Sequence, residues 1–304
     1  MPPPRVTIAP TPAPFAVEAV EGGGGAVVSL TDDPEAVVWL DSHNAEGLAE
    51  ALATAPGVRW VQLPSAGVEL MTEVIDHARI WTCAKGAYAQ PVAEHALTLA
   101  LAGLRLLPTR VRAHSWGAQG GTSLFGERVT ILGGGGITRS LLELLAPFEV
   151  EATVVNRSGN PVPGAARTVP VPELDSTLSD ALVVVLALAL TPETRGIIGA
   201  DQLGLMRQTA WLVNVARGGH VDTDALVDAL GEGTIGGAAL DVTDPEPLPD
   251  GHALWDLSNC IITPHTADTI EMVLPLLAER IRTNVAHFAA GEALVGLVDA
   301  EAGY

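Results

Sequence analysis

Basic residues and cysteine are both scarce in this chain. Lys and Arg together number 16 against 36 Asp and Glu, so the formal net charge is −20. A surface this acidic repels nucleic-acid phosphates and anionic membranes, and we expect neither as a partner. The two cysteines, Cys83 and Cys260, are too few for a disulfide framework or a cysteine zinc cage. Both lie among apolar residues, which predicts buried free thiols in a reducing compartment, the cytoplasm.

Long hydrophobic runs and targeting signals are also missing. The longest apolar run, residues 181–190, is about half of what a bilayer requires. The N-terminal segment lacks the basic-then-apolar layout of a secretory signal peptide. Hydrophobic residues make up 48% of the chain and charged residues 17%, which is ample material for a core. We therefore expect a soluble globular protein of one large domain or two ordinary ones.

Short apolar strands alternate with helices along the chain, which predicts parallel sheets covered by helices. A long apolar helix is predicted over Val92–Leu107 and is expected to end at Pro108. A last helix, Met272–Ala290, is long enough to return to the N-terminal half. The run Gly22–Gly25 has no strand directly before it and no helix after it, so we predict a surface turn there rather than a phosphate-binding loop.

A glycine motif, Gly133-x-Gly135-x-x-Thr138, directly follows the predicted strand Val129–Leu132 and opens a helix. In that context the first glycine makes the tight turn and the second admits a pyrophosphate, which binds at the helix N-terminus. Thr138 replaces the usual third glycine, a position that serves close helix–strand packing. The motif predicts a dinucleotide site, and the alternative is a glycine-rich turn that binds nothing. The candidate contacts here are Gly133, Gly135, Gly136, Ile137 and Thr138.

The end of the next predicted strand indicates which cofactor is preferred. An NAD site usually carries Asp or Glu there, about 20 residues after the glycines, to bind the ribose 2′-hydroxyl. Asn156 stands in that place and is followed by Arg157 and Ser158. Loss of the acid removes repulsion of a 2′-phosphate, and Arg157 and Ser158 supply donors for it. NADP is therefore favoured and NAD is possible, unless Arg157 is a solvated loop residue.

Three later segments, each directly after an apolar strand, carry residue types suited to catalysis, because open α/β sheets bind ligands at strand ends. They are NVARGG (214–219), ALDVTDPEP (239–247) and ITPH (262–265). Arg217 is suited to clamp a carboxylate, and His265 is suited to transfer a proton near neutral pH. Glu246 is suited to accept from the other imidazole nitrogen. Taken singly, each has a plainer interpretation, as a surface arginine, a structural histidine or a turn residue.

These segments, the glycine motif and three others occur in the order found in the D-isomer-specific 2-hydroxyacid dehydrogenase family, which the chain resembles over most of its length. The others are LPSAGVE (63–69), TCAKGAYAQPVAEHAL (82–97) and LALALTPETRGIIG (186–199). Within the family, the chain looks like a glyoxylate/hydroxypyruvate reductase. The resemblance implies an α/β protein in which a Rossmann cofactor domain, 92–270, is inserted into a smaller flavodoxin-like substrate domain formed by 1–91 and 271–304.

The resemblance also assigns site residues. It gives the catalytic roles to Arg217, Glu246 and His265, and the substrate carboxylate to the loop of Ala66, Gly67 and Val68. Asp241 falls on the acid beside the nicotinamide carboxamide. Further cofactor contacts fall on Leu188, Ala189, Val215 and Ala216, together with Arg217 and His265. The chain departs from the family pattern at Thr138, at Ala189 where a proline is usual, and in a short N-terminal half whose first helix is degenerate.

The implied function is hydride transfer between a nicotinamide cofactor and a small 2-oxo or 2-hydroxy acid, without a metal. A homodimer through the cofactor domains is expected, with Trp116 and the helix at 92–107 as candidate contacts. A redox-sensing corepressor on the same fold is the alternative, since it can retain the same three catalytic residues. Formate dehydrogenases carry Gln at the position of Glu246, and phosphoglycerate dehydrogenases often carry a further regulatory domain, so we expect neither activity.

Overall fold

The computed structural model describes residues 2–299, so Met1 and residues 300–304, parts of the predicted substrate domain, lie outside the described residues. The chain divides into two compact units. The first consists of Met1–Tyr88 and Thr269–Tyr304, and the second of Ala89–Asp268. The domain boundaries expected at 91 and 270 remain a prediction.

The first unit is built on a five-stranded parallel sheet in the order β2-β1-β3-β4-β5, which is the flavodoxin-like order. The whole of β3 is buried, because its run of apolar residues is covered on both faces. This architecture confirms the predicted fold class of the smaller part. Its elements are β1 (Arg5–Ala9), α1 (Pro14–Gly22), β2 (Ala26–Val27), β3 (Ala36–Trp39), α2 (Ala45–Thr54), β4 (Trp60–Gln62), β5 (Ile80–Thr82) and α9 (Ile270–Ala290).

The first helix, predicted to be degenerate, is complete. Helix α1 begins at Pro14, which suits a first helical turn, and packs its small buried residues against Val285 and its neighbours on α9. The Gly22–Gly25 run ends this helix and forms a turn, as predicted, but it is not merely a surface turn. A Cβ on Gly23 would lie 2.6 Å from the carbonyl oxygen of Arg282 and 2.8 Å from Cβ of Val285, so the run packs tightly against α9.

The second unit is built on a seven-stranded parallel sheet in the order β12-β11-β10-β9-β6-β7-β8. Strand order reverses between β6 and β9, the point at which doubly wound sheets bind nucleotides. Its strands are β6 (Arg128–Leu132), β7 (Glu151–Asn156), β8 (Arg167–Pro170), β9 (Val183–Leu186), β10 (Trp211–Asn214), β11 (Gly237–Leu240) and β12 (Cys260–Ile262). Its helices are α3 (Ala89–Leu104), α4 (Leu107–Val111), α5 (Gly136–Leu145), α6 (Asp175–Leu178), α7 (Ala200–Leu205) and α8 (Thr223–Gly231), with 3-10 segments at Ala146–Phe148, Val171–Glu173, Gly218–His220 and Ala253–Trp255.

The helix predicted to end at Pro108 ends earlier, and Pro108 has a different role. Helix α3 stops at Leu104, and Leu106 adopts a left-handed conformation with φ 53°. Pro108 then lies in the first turn of the short helix α4. A proline lacks the amide hydrogen that a helix interior needs but that a first turn does not use, so it starts this helix.

Two apolar clusters cover the two faces of the larger sheet, and they leave the carboxyl ends of the strands as its polar edge. One cluster joins α3 and α5 to the sheet, and the other joins α7 and α8 to it. Within residues 2–299, no helix combines the length and apolar composition needed to cross a bilayer.

Candidate active site

The glycine turn after β6 is shaped by a close approach of backbone to backbone. Gly133 has φ +107°, and a Cβ there would lie 2.2 Å from the carbonyl oxygen of Ala187. Beside Gly135, by contrast, nothing lies within 4 Å of where a Cβ would stand. The turn leads into the N-terminus of α5, whose first amides have no partner within the helix. This open cradle at a helix N-terminus fits the pyrophosphate of a dinucleotide.

Thr138, which replaces the third glycine of the motif, reinforces the turn. Its side chain is fully buried, and its hydroxyl donates to the carbonyl oxygen of Gly133 at 2.8 Å. A glycine could not make this bond. The departure from the family pattern therefore stabilises the glycine turn rather than opening it.

Asn156 ends β7 and organises the loop that follows. Its side-chain oxygen accepts from the amides of Ser158 at 3.1 Å and Gly159 at 2.6 Å, and its Nδ2 donates to the carbonyl oxygen of Asn160 at 2.9 Å. An Asx turn of this kind fixes the loop conformation. The sequence predicted only a ribose contact for Asn156, and the structure gives its amide this local role.

Arg157, in the same loop, is exposed and lies within electrostatic range of Glu193. The pKa of Glu193 is lowered chiefly by a hydrogen bond from the Thr191 side chain, with a further contribution from Arg157. The arginine is therefore near enough to the loop after β9 for its charge to act on Glu193.

The loop after β9 contains Leu188 and Ala189, the predicted cofactor contacts. Thr194 ties the loop together, because its hydroxyl donates to the carbonyl oxygen of Ala189 at 2.8 Å and accepts from the amide of Thr191 at 2.8 Å. The absent proline at position 189 is thus compensated by hydrogen bonds within the loop.

Arg217 follows β10 at the same edge of the sheet, after the buried residues Val215 and Ala216. Asn214 braces this turn: it donates to the carbonyl oxygen of Arg217 at 2.9 Å and accepts from the amide of Ala216 at 3.0 Å. The guanidinium donates to the carbonyl oxygen of Ala216 at 2.7 Å. This bond draws the head group over its own turn.

His265 and Glu246 form a pair, with Nδ1 of the imidazole 2.6 Å from Oε1 of the carboxylate. Both side chains are partly exposed, 45% for His265 and 39% for Glu246, so a substrate has access to them. His265 adopts φ 48° and is held there by its amide, which donates to the carbonyl oxygen of Asp241 at 2.8 Å. Such left-handed conformations are uncommon outside glycine and cluster at functional sites. With Nδ1 engaged, Nε2 is the nitrogen placed to exchange a proton.

Asp241 is buried at the end of β11 and is surrounded by donors. Its Oδ1 accepts from the hydroxyl of Thr263 at 2.6 Å and the amide of Thr266 at 2.9 Å, and its Oδ2 accepts from the amide of Ala267 at 3.0 Å. Nε2 of His95 lies 3.3 Å from Oδ1. Burial acts to raise the pKa of Asp241, but these hydrogen bonds outweigh it and lower the pKa to about 2.

Asp241 is expected to stabilise the fold in a pH-dependent way. A carboxyl whose pKa is lower in the folded protein contributes stability above its ordinary pKa of 3.8 and loses it as the pH falls through about 2. Asp241→Asn should therefore lower the free energy of unfolding at neutral pH by about 2 kcal/mol. In denaturant titrations, the difference from wild type should shrink between about pH 4 and pH 2. Asp250→Asn, in an exposed turn, is the control, and equal pH curves for wild type and Asp241→Asn would contradict the assignment.

The loop predicted to bind the substrate carboxylate belongs to the first unit. Ala66 is exposed, Gly67 is half-buried and Val68 is buried. The hydroxyl of Ser65 donates to the carbonyl oxygen of Gly67 at 2.6 Å, and the thiol of Cys83 donates to that of Ala66 at 3.5 Å. Two side-chain donors, the Ser65 hydroxyl and the Cys83 thiol, thus hold the carbonyl groups of the loop. All the other predicted site residues belong to the second unit, where they follow β6, β7, β9, β10, β11 and β12.

Sequence reasoning missed three residues of this sheet edge. His95 on α3 contacts the Asp241 cluster, and His220 lies directly beyond the Arg217 turn. Burial raises the pKa of the Asp268 carboxyl, and electrostatic interactions with His265 and Arg217 act against that rise. His95 falls within TCAKGAYAQPVAEHAL and His220 directly follows NVARGG, two segments that carried the resemblance, which was the signal available for them.

A family model described as "D-isomer specific 2-hydroxyacid dehydrogenase, NAD binding domain" matches residues 95–267. The chain belongs to this family. It is therefore an oxidoreductase that uses a nicotinamide cofactor, and the two parallel sheets confirm the fold that the resemblance implied.

This chain is similar to known proteins over most of its length. It is 41% identical to an uncharacterized protein of Corynebacterium melassecola over 94% of this chain and 95% of that one. It is 31% identical to a glyoxylate reductase of Thermofilum pendens over 88% of this chain and 82% of the relative. Among solved structures, a D-isomer specific 2-hydroxyacid dehydrogenase from Xanthobacter autotrophicus Py2 in complex with NADPH and MES superposes with a TM-score of 0.84 at 26% identity, covering 100% of both chains.

Proposed function

We propose that this dehydrogenase reduces a small 2-oxo acid to the D-2-hydroxy acid, with NADPH as the preferred cofactor. The observation that carries the proposal is the His265–Glu246 pair, which lies at the sheet edge that also holds the glycine turn and Arg217. The similarity to a glyoxylate reductase supports a small 2-oxo acid as substrate. On the family resemblance, we assign the second unit to the cofactor and the first unit, through the loop of residues 66–68, to the substrate.

The chemistry assigned to each residue follows from its charge and position. Arg217 binds the substrate carboxylate and polarises the carbonyl as negative charge develops on its oxygen. His265, as an imidazolium, donates the proton on Nε2 to that oxygen. Glu246 accepts from Nδ1 and stabilises the imidazolium. The reduced nicotinamide, when bound, supplies the hydride for C2 of the substrate. No metal is required by this scheme.

The test is steady-state turnover of glyoxylate, hydroxypyruvate and bulkier 2-oxo acids with NADPH and with NADH. Turnover of at least one small 2-oxo acid is expected. Tight binding of NADPH without turnover of any 2-oxo acid would instead favour the redox-sensing corepressor.

Cofactor choice is expected to depend on the loop after β7. The strand ends without a carboxylate, at Asn156, and Arg157 and Ser158 are exposed beside it. A charge-assisted hydrogen bond to a 2′-phosphate is worth roughly 1.5–3 kcal/mol, so we predict that kcat/KM with NADPH exceeds that with NADH by roughly tenfold or more. The structure with NADPH from Xanthobacter autotrophicus supports the same choice.

Substitutions in this loop and at Glu193 should change the preference for NADPH over NADH. Asn156→Asp with Arg157→Ala should favour NADH; Asp retains the oxygen that accepts from Ser158 and Gly159 but loses the bond from Nδ2 to the carbonyl oxygen of Asn160. Glu193→Gln should strengthen the NADPH preference, because it removes the negative charge near Arg157. Equal efficiency with both cofactors in the wild-type enzyme would refute the role of Arg157.

Assembly as a homodimer through the second unit is proposed on the exposed apolar side chains around α4. Trp116 is 97% exposed and Val111 is 78% exposed, which is unusual for side chains of this size. Light scattering at micromolar concentration is expected to give the mass of a dimer, and Trp116→Ser should weaken it. A wild-type monomer would contradict the proposal.

Both cysteines are buried free thiols, which supports the expected cytoplasmic location.

A further inference from the structure

His220 is a fully buried histidine that the mechanism above does not use. It ends the 3-10 segment that begins directly after Arg217. Its Nδ1 lies 3.1 Å from the carbonyl oxygen of Thr194, and its Nε2 lies 3.2 Å from the carbonyl oxygen of Leu188. The imidazole thus joins two points of the loop after β9, Leu188 and Thr194, and Thr194 itself binds Ala189 and Thr191.

The two carbonyl contacts cannot both be hydrogen bonds of a neutral imidazole, since that ring carries one N–H. Burial lowers the pKa of His220, against the two carbonyls that raise it, and the cations of Arg217 and Arg195 lower it further, so the ring is neutral at neutral pH. The carbonyl oxygen of Thr194 already accepts from the amide of Ile197 at 3.3 Å. Among the described residues, His220 is the one donor that reaches the carbonyl oxygen of Leu188, whereas Thr194 has the Ile197 amide, so we place the proton on Nε2, where it binds the carbonyl oxygen of Leu188.

Leu188 is in direct contact with the glycine turn. A Cβ on Gly133 would lie 3.1 Å from Cα of Leu188 and 2.2 Å from the carbonyl oxygen of Ala187. Any shift of the chain at Leu188 would therefore change the space beside the turn that fits a pyrophosphate. The other end of the loop is fixed independently, because Gly196 and Ile198 donate to the carbonyl oxygens of Gly219 and His220 at 2.9 and 3.0 Å.

We propose that His220 is a positioning residue for the cofactor: its Nε2–H holds the carbonyl oxygen of Leu188 and so fixes the loop after β9 against both the glycine turn and the Arg217 turn. The inference rests on the proposed cofactor site. It acts on the part of the site near Leu188 and Arg217, whereas the loop of Asn156 and Arg157 is held by its own hydrogen bonds.

Three variants separate this role from simple packing. A glutamine amide nitrogen takes the place of Nε2 and an asparagine amide nitrogen takes the place of Nδ1, whereas phenylalanine fills the space without a donor. We expect His220→Gln to bind NADPH nearly as tightly as wild type. His220→Asn and His220→Phe should bind it roughly three- to tenfold more weakly, the loss expected for one hydrogen bond. Binding of 2′-AMP, which carries the adenosine and its 2′-phosphate but no part of the pyrophosphate, should stay within about twofold in all three.

Dissociation constants are measured by fluorescence, and melting temperatures show whether each variant is folded. Equal NADPH binding by the Gln and Asn variants, or wild-type binding by the Phe variant, would overturn the inference alone. Failure of the wild-type protein to bind NADPH and NADH would overturn the proposed function and the inference together. Nitrogen-15 NMR of the unliganded protein gives a readout that needs no variant: the Nε2–H tautomer of His220 is expected, and the Nδ1–H tautomer would refute the assignment.

Discussion

His265→Gln should lower kcat by roughly 10²–10⁴-fold, the usual contribution of a general acid, while the dissociation constant for NADPH stays close to that of wild type. The imidazole is placed to donate the proton from Nε2, because Nδ1 is engaged by Glu246 at 2.6 Å. Glutamine keeps a polar group there but cannot supply a proton of suitable acidity. Steady-state kinetics with a small 2-oxo acid and cofactor binding by fluorescence measure the two effects separately.

Two comparisons sharpen this expectation. His114→Gln, on an exposed loop residue, is the matched control and should leave kcat unchanged. Arg217→Ala should raise KM and lower kcat together, because Arg217 is proposed to act on both the carboxylate and the reacting carbonyl. Undiminished turnover in the His265 variant would remove that residue from the mechanism.

The order of strands and helices was predictable because most strands of the larger sheet are short, largely apolar segments separated by turn residues. Strand β9, for example, is entirely Val and Leu and is buried on both faces. Helix α1 was harder to predict, since its buried face contains Ala16 and Ala19, whose small side chains give a weak periodic signal. The edge strands β2 and β8 were missed because their partly exposed residues lack that apolar run.

The candidate site was predictable only where a motif carried it. Glu246 and His265 lie in segments of recognisable family sequence, so their pairing could be expected before the structure. The contacts of His220 with Leu188 and Thr194 could not, because they depend on how the loops after β9 and β10 fold over the sheet edge. The hydrogen bonds that Asn156 makes within its own loop were equally unpredictable from the sequence. An Asn at this position is compatible both with a ribose contact and with an Asx turn, so the residue type alone does not distinguish them.

Gly218→Ala is expected to disable the enzyme although position 218 touches no substrate. A Cβ at Gly218 would lie 1.9 Å from the carbonyl carbon of Thr243, 2.0 Å from its oxygen and 2.4 Å from the amide nitrogen of Asp244. These are backbone atoms, so relief requires the Arg217 turn to move away from the segment that carries Glu246. Displacements of about 1 Å at a reacting centre can cost roughly 10²-fold, and we expect at least that loss in kcat/KM.

The matched control for this substitution is Gly231→Ala at the end of α8, where nothing lies within 4 Å of the added Cβ and φ is not positive. That variant should keep wild-type activity and melt at the same temperature or slightly higher, since alanine favours a helix by about 1 kcal/mol over glycine. Gly218→Ala should also have a lower melting temperature than wild type, because overpacking lowers the free energy of unfolding by about 1–3 kcal/mol. If Gly218→Ala has a lower melting temperature but the kcat/KM of wild type, the Arg217 turn and the Glu246 segment can move apart without loss of activity. Their close packing would then contribute to stability alone. If it loses activity while remaining folded in circular dichroism and still binding NADPH, the loss lies in the placement of Arg217 relative to Glu246 and His265, as the geometry requires.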